Sequence, residues 1–419
     1  MNSTEKLYWA DALATSFETR GASLAAHAGK ASVVLAQTMF YPEGGGQLGD
    51  LGTLALGAHV IGIADTQIQD GAIHHLIEGE LPPALAEALG TAAAADLAVR
   101  GSVDETRRRD HMVQHTAQHA LSRALADAAR AVTVSARLGA TSCTIDVDRP
   151  GIADGDLHRA EDLVNALVMS DVPVLTSFPT PDELAKLDLR KQPNVEKSAA
   201  GVRVVEIAGF DLTPCGGTHC TRTGQIGQVR IVATEKYKGM LRITFHAGRR
   251  ALVDARARHD LLATLAADLT CGAADVPGAV GKLRGEMKTL REKLEAARTE
   301  VADLVAVRLR AALPTSPGPH VVPVVRALDD LAGLRALANK LTEDPRIVAL
   351  VCGRDEGSGE VVLVVQRGAE AKLDCGAFVS AQAKARSGRG GGRPERAEGR
   401  FPQGTSLEVL AAAATAALD

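Results

Sequence analysis

Cys215-Gly216-Gly217-Thr218-His219, answered upstream by Gln114-His115-Thr116-Ala117-Gln118-His119, is the pattern from which this 419-residue chain is read. Each stretch supplies two ligand types four positions apart, and about a hundred residues separate them. Four Cys and His ligands delivered in two close-spaced pairs are what a tetrahedral zinc ion takes from a protein. The stretch from Thr106 to Ala129 has no Gly or Pro and lines up Val113, Ala117, Leu121, Ala124 and Ala128, which predicts a helix with one apolar stripe. His115 and His119 then stack on one face, roughly opposite that stripe. Gly216 and Gly217 weaken any helix and instead allow a tight fold between Cys215 and His219, with Pro214 at its start. His111, four residues before His115, competes for the same face, and periodicity alone leaves it open as a ligand. Cys220, beside His219, reads as a buried or idle thiol.

A second motif runs from Thr38 to Asp50, TMFYPEGGGQLGD. Gly44, Gly45 and Gly46 give either a plain hairpin turn or a backbone that passes close to a ligand, with amides free to donate to an anion or a carbonyl. Thr38 and Gln47, at its ends, are candidates for polar contacts to a substrate.

Taken together, Phe40-Tyr41-Pro42-Glu43-Gly44-Gly45-Gly46-Gln47 with Gly49-Asp50, then His115 to His119, then Cys215 to His219 with Thr223-Gly224-Gln225-Ile226-Gly227, resemble the editing domain of alanyl-tRNA synthetase and its freestanding relatives, the AlaX-type deacylases. Gly390-Gly391-Gly392-Arg393-Pro394 with Ala397 resembles the GGGRP signature of that synthetase's C-terminal, DHH-associated domain, without the DHH catalytic motifs before it. The FYPEGGGQ motif begins about forty residues into the chain, so the class II aminoacylation domain that precedes editing in the synthetase is not expected here. The resemblance therefore implies a long-form AlaX protein. Such a protein is a cytoplasmic trans-editing enzyme that hydrolyses serine or glycine from mischarged alanine tRNA, with Zn2+ on His115, His119, Cys215 and His219. It also implies a catalytic or discriminating part for Gln47 and Thr38, a hydroxyl at Thr38 being suited to reward serine over alanine. Gln118 departs from the synthetase pattern, as does Ser135-Ala136-Arg137-Leu138-Gly139, which stands closer to the freestanding proteins.

Composition fits this expectation. With 46% hydrophobic residues the chain can bury cores for two or three domains, and no apolar run approaches the roughly 20 residues that span a bilayer. Six scattered cysteines suit a reducing compartment rather than a disulfide scaffold. Net charge is −4, yet seven Lys or Arg face one acid between Arg222 and Arg250, and six face two between Lys384 and Arg400. Arg107, Arg108 and Arg109 form a third cluster. Such patches suit phosphate contacts, and Lys236, Lys238, Arg242 and Arg393 are the candidates. Aromatics make up only 3% of the chain, which favours recognition of RNA shape and backbone over base stacking.

The expected class is α+β. Residues 1–90 read as a small β-rich subdomain carrying the Gly-rich motif, with strand-like runs at Ala31 to Gln37 and Thr53 to Ile63. Residues 91–255 read as the zinc-binding editing domain, with strands at Ser142 to Val147 and Val202 to Ile207. Residues 256–313 form a helical linker, where Leu283, Met287, Leu290, Leu294, Ala297, Val301 and Leu304 make a seam of about three heptads, suited to a helical hairpin or a homodimer contact. Pro314, Pro317 and Pro319 end it, and 314–419 is a DHH-associated-like α/β domain for tRNA binding or dimerisation, with strands at Ile347 to Cys352 and Val361 to Val365. Three ligands and an open position would let zinc generate hydroxide, whereas four close the site. The residues leave it open whether zinc activates water or positions the substrate. Two alternatives stay beside the deacylase: a tRNA-binding accessory protein with structural zinc, and a zinc hydrolase of some other ester or amide. The absence of His-Glu-x-x-His argues against a zincin protease.

Overall fold

Alternating apolar and polar residues between Gly-rich turns fold into a seven-stranded antiparallel sheet. Its order is Ser16–Arg20, Ala98–Val103, Gly52–Leu56, His59–Gln69, Ala72–Ile77, Lys30–Leu35, Ala22–His27. The computed structural model describes residues 3–193, 201–314, 318–326, 330–355 and 357–418; Pro317 lies outside them. The chain divides into two compact units, Met1–Ala263 and Thr264–Asp419, the boundary falling inside the helix Gly248–Asp268. Mixed sheets and helices place it in the α+β class.

In the first unit the Gly-rich motif is the tip of a hairpin. Gly44 and Gln47 exchange both backbone hydrogen bonds at 3.0 Å, and Gly45 and Gly46 between them have φ of +58° and +88°. Left-handed φ at both central positions is the condition for a type I′ turn, which non-glycine residues rarely meet. The tip docks on the strand Thr133–Leu138, where the Leu138 amide donates to the Gly46 carbonyl at 2.7 Å. A Cβ on Gly46 would lie 2.4 Å from the Ala136 carbonyl oxygen, so only glycine lets the two backbones meet.

That strand belongs to a four-stranded antiparallel sheet, Thr133–Leu138, Cys143–Val147, Met240–Ala247, Val229–Tyr237, against which the helices Glu105–Ala129 and Asp154–Ser170 bury Leu121, Leu125, Ala160 and Val164 over Ile145, Ile243 and Phe245. The histidine helix is capped by Asp104, whose carboxylate accepts from the Arg107 amide at 3.0 Å, and ends at Arg130 in the left-handed conformation. Its polar face is as buried as its apolar one. Arg108, His111, His115 and His119 are all at most 3% exposed, because the Gly-rich hairpin and the Cys215 loop cover the side that periodicity alone would leave to solvent. A three-stranded antiparallel sheet, Val174–Ser177, Val204–Ile207, Asp211–Pro214, leads directly into Cys215.

The second unit holds a five-stranded sheet ordered His320–Val325, Ile347–Arg354, Val361–Arg367, Arg396–Phe401, Arg389–Gly392, its first pair parallel and the rest antiparallel. Ile347–Arg354 is buried on both faces: Val348 and Leu350 join one core with Phe378 and Leu410, while Ile347, Ala349 and Val351 join another with Leu334 and Leu337. The seam residues Leu283 to Leu304 all fall within one helix, Val276–Ala311. No helix among the described residues is long and apolar enough to cross a membrane.

One buried ion pair ties the hairpin to the helix. Arg108 donates to both oxygens of Asp50 and to the carbonyls of Ala12 and Met39, and both side chains of the pair are fully buried. Removing one partner of such a pair strands a charge in the interior, at a cost of about 3–5 kcal/mol. Arg108→Met is therefore expected to lower unfolding stability by that amount in a denaturant titration, whereas the exposed neighbour change Arg109→Met is expected to cost less than about 1 kcal/mol.

Candidate metal centre

The two ligand pairs of the sequence meet. The ligand atoms of His115, His119, Cys215 and His219 all lie within 4.8 Å of one another. Cys215 Sγ stands 3.4 Å from His115 Nε2 and 3.3 Å from His219 Nε2, and the three imidazole centroids are 4.3 to 5.1 Å apart. His111 is buried nearby but is not part of this group, and neither is Cys220, whose amide donates to Thr116 Oγ1 at 3.0 Å.

The chemistry of the group fits a borderline-soft divalent cation. Burial drives the His115 pKa down to about 3 and those of His119 and His219 well below the ordinary value, so all three rings are neutral and carry free lone pairs. Burial also raises the Cys215 thiol. A protein without a cation gains nothing by desolvating three imidazoles and a thiol together. With one, the same groups become ligands and the cation favours the thiolate.

His115 and the Cys215 loop are held from behind by hydrogen bonds, whereas Nδ1 of His119 and of His219 has no hydrogen-bond partner among the described residues. Gln47, fully buried, accepts from His115 Nδ1 at 2.7 Å and from the Thr218 amide at 3.3 Å, and donates to Thr218 Oγ1 at 2.9 Å. This fixes the His115 proton on Nδ1 and turns Nε2 inward. Asp211 lies 3.7 Å from His119 Nδ1 and is held in turn by Arg190 at 2.7 and 3.1 Å. The Cys215–Gly217 loop is gripped by two side chains: Arg203 Nη1 donates to the carbonyls of Cys215 and Gly217, each at 2.9 Å, and Trp9 Nε1 donates to that of Gly216 at 3.0 Å. Sequence reasoning missed Arg203, Asp211 and Trp9, since each acts through a contact that exists only once the chain is folded.

A cavity of about 400 Å³ opens beside the group, walled by His115, His119, Cys215 and Gly216 on one side and by Tyr41, Gly44 and Gly45 on the other. Lys6, Trp9, Arg190 and Lys191 also line it. Gly46 packs on Ala136 instead, and Gln47 sits behind the ligands rather than on the wall. Thr38 is turned away altogether: its hydroxyl is 2.8 Å from His75 Nε2 and accepts from the Phe40 amide at 3.0 Å, fully buried. The expected discriminating hydroxyl is therefore committed within the fold.

The basic patches are largely neutralised. Arg242 forms a bidentate pair with Asp146 at 2.7 and 2.9 Å and lies over the Tyr237 ring, while Arg222, Arg230 and Arg250 pair with Asp171, Glu161 and Asp110. Arg107 donates to the Gly49 carbonyl, and Arg108 is buried against Asp50. Lys236 and Lys238 stay exposed on the hairpin beside Tyr237, away from the cavity lining. Arg393, in the second unit, has no side-chain partner among the described residues and lines a cavity of about 680 Å³ with Arg335, Arg367 and Arg396.

Comparison with known proteins points to one group of enzymes. The family model of the threonyl and alanyl tRNA synthetase second additional domain matches residues 202–244, which include the Cys215 loop. A model of tRNA synthetases class II (A) matches residues 9–87, the segment bearing the Gly-rich hairpin. The alanine–tRNA ligase of Methanothrix thermoacetophila is 31% identical over 88% of this chain and 40% of its own length. Those of Korarchaeum cryptofilum and Halorubrum lacusprofundi are 30% and 32% identical over 96% and 97% of this chain and 44% and 43% of theirs. The chain is thus related to alanyl-tRNA synthetases along most of its sequence, and it spans about two fifths of the length of these relatives. The solved C-Ala domain of Aquifex aeolicus alanyl-tRNA synthetase covers 25% of this chain at 19% identity, with a TM-score of 0.21.

The geometry separates the two loop glycines. A Cβ on Gly217 would lie 2.2 Å from His115 Cε1, while one on Gly216 would meet nothing within 4 Å. Gly217→Ala is expected to abolish retention of zinc or cobalt in equilibrium dialysis, and Gly216→Ala to leave it intact. Gln47→Leu, which frees the His115 ring, is expected to weaken metal affinity by about 10–100-fold.

Proposed function

We propose that this protein is a trans-acting aminoacyl-tRNA deacylase that hydrolyses serine or glycine from mischarged alanine tRNA, with zinc held by His115, His119, Cys215 and His219. The observation that carries the reading is the cavity that joins this buried ligand group to the glycine hairpin Gly44–Gly45, because an ester placed there reaches the ligand group and backbone amides at once. Zinc held there would supply Lewis-acid chemistry, polarising an ester carbonyl or lowering the pKa of a bound water, once one of the four ligands gave up its place.

The chain's own groups do the rest. Gln47 holds His115 in one tautomer. Lys6 and Lys191 place positive charge at the cavity, suited to the phosphates of a tRNA 3′ end, and Tyr41 closes the hairpin by donating to the Gly44 carbonyl at 2.8 Å. Lys236 and Lys238 are offered as further phosphate contacts from the exposed hairpin, and Arg393 from the cavity in the second unit, which we assign to a DHH-associated-like tRNA-binding domain. The relatives are alanine–tRNA ligases, which makes alanine tRNA the natural partner, and a protein working on it belongs in the cytoplasm. The same ligand group serves equally in a non-catalytic, zinc-stabilised tRNA-binding protein. That reading leaves the open cavity without a use.

Alanine tRNA charged with serine, glycine or alanine, incubated with the zinc-loaded protein, tests this directly. Loss of serine or glycine well above the spontaneous rate, with alanine spared, is the expected result, and Cys215→Ala is expected to remove it. Tight tRNA binding without ester loss would favour the accessory reading.

A further inference from the structure

The amide of Gly216 is a donor with nothing to donate to. The amides on either side of it are engaged, whereas the unpartnered His219 amide is buried and off the cavity wall. The Cys215 amide donates to the Arg203 carbonyl at 3.0 Å, the Gly217 amide reaches Cys215 Sγ at 3.5 Å, and the Thr218 amide reaches Gln47 Oε1 at 3.3 Å. The carbonyls of Cys215, Gly216 and Gly217 are held by Arg203 and Trp9. Of the amides from Cys215 to Thr218, only that of Gly216 has no partner among the described residues, and Gly216 is exposed on the cavity wall next to Cys215.

Its direction is set by its own peptide unit. No cis peptide occurs among the described residues, and in a trans peptide the N–H points opposite to the C=O. The Cys215 carbonyl is tied to the buried guanidinium of Arg203, so the Gly216 N–H points away from Arg203. The same guanidinium withdraws electron density from that carbonyl, which makes the N–H of the unit a better donor. A donor fixed before substrate arrives, beside a group suited to ester chemistry, is the arrangement that stabilises developing negative charge.

We infer that the Gly216 backbone amide is an oxyanion donor for ester hydrolysis at this site, pre-oriented by Arg203 and Trp9; this rests on the deacylase reading above. In the step it serves, a water oxygen bonds to the ester carbonyl carbon and the C=O electron pair moves onto the carbonyl oxygen, where Gly216 N–H donates to it. Collapse of the tetrahedral adduct restores the C=O and breaks the bond to the ribose oxygen. The proton lost by the water ends on that ribose oxygen, so ester and water become acid and alcohol.

The test is an amide-to-ester change in the backbone. Glycolic acid installed in place of Gly216 in the full chain removes the N–H and little else, and the full chain assembled by the same route with glycine at 216 serves as the control. Both are loaded with zinc for kinetics on serine-charged alanine tRNA and with cobalt for the thiolate-to-metal absorption band. The expected result is a fall in kcat on the order of a hundredfold for the glycolate protein relative to the glycine control, with KM, metal stoichiometry and the cobalt band kept. Unchanged kcat in the glycolate protein overturns the inference. So does loss of the cobalt band, which would assign the N–H to holding the loop. Wild type that hydrolyses no aminoacyl ester would instead overturn the deacylase reading itself.

Discussion

Gln47 is the single side chain on which the site depends. It comes from the end of the glycine turn Gly44–Gln47, hydrogen-bonds a histidine on a helix 68 residues on, and holds both the amide and the hydroxyl of Thr218, 171 residues away. All of this happens with no exposed surface. A buried carboxamide with unmet bonds costs about as much as the bonds are worth, so the three segments are mutually conditional: each finds its partners only when the other two are in place. The type I′ turn at Gly45 and Gly46 matters for the same reason, because the backbone contact to Leu138 sets where Gln47 enters the interior.

Electrostatics follow from that frame. A net charge of −4 looks unhelpful for the tRNA contact proposed above, and the sequence pointed instead to local runs of Lys and Arg. Most of those arginines turn out to hold the fold: Arg108 with Asp50, Arg242 with Asp146, Arg250 with Asp110. Bidentate, partly buried arginine pairs suit structure better than phosphate capture, since the guanidinium would have to leave a good partner to bind another. Cationic groups around the cavity come from residues outside any run, Lys6 and Lys191 among them. Counting charges along a chain finds solvated faces and internal ion pairs alike.

The histidine helix was legible because 24 residues without Gly or Pro leave little else, and the structure extends it by only one residue, to Glu105–Ala129. The pairing of its histidines with Cys215 and His219 was legible because metal-ligand spacing is a local signature. The strand Ile347–Arg354 was legible as a run of apolar residues, and Cys143–Val147 as a short β-branched stretch. What sequence could not show was anything decided by a distant partner. Thr38 sat in the right motif, but His75, 37 residues on, takes its hydroxyl. Arg203 and Trp9 carry no local signal, since their targets are carbonyls that every residue possesses.

The two glycines of the Cys215 loop illustrate how one motif can hold two constraints. Gly217 is required by space, because His115 occupies the position of any side chain. Gly216 is not, for a Cβ there meets open cavity, and it is absent from the residues with left-handed φ. Neither packing nor backbone strain therefore explains a glycine at 216. An open approach to its peptide does, since a side chain projecting into the cavity would stand between the amide and whatever binds there. On that argument the position is kept small for the sake of a ligand rather than of the fold, whereas its neighbour is kept small for the ligand set itself. The three peptide units from Cys215 to Thr218 are thus divided by direction, their carbonyls to Arg203 and Trp9 and their amides to the cavity at Gly216, to the thiol at Gly217 and to Gln47 at Thr218. That division lets five residues hold two ligands and still present a free donor.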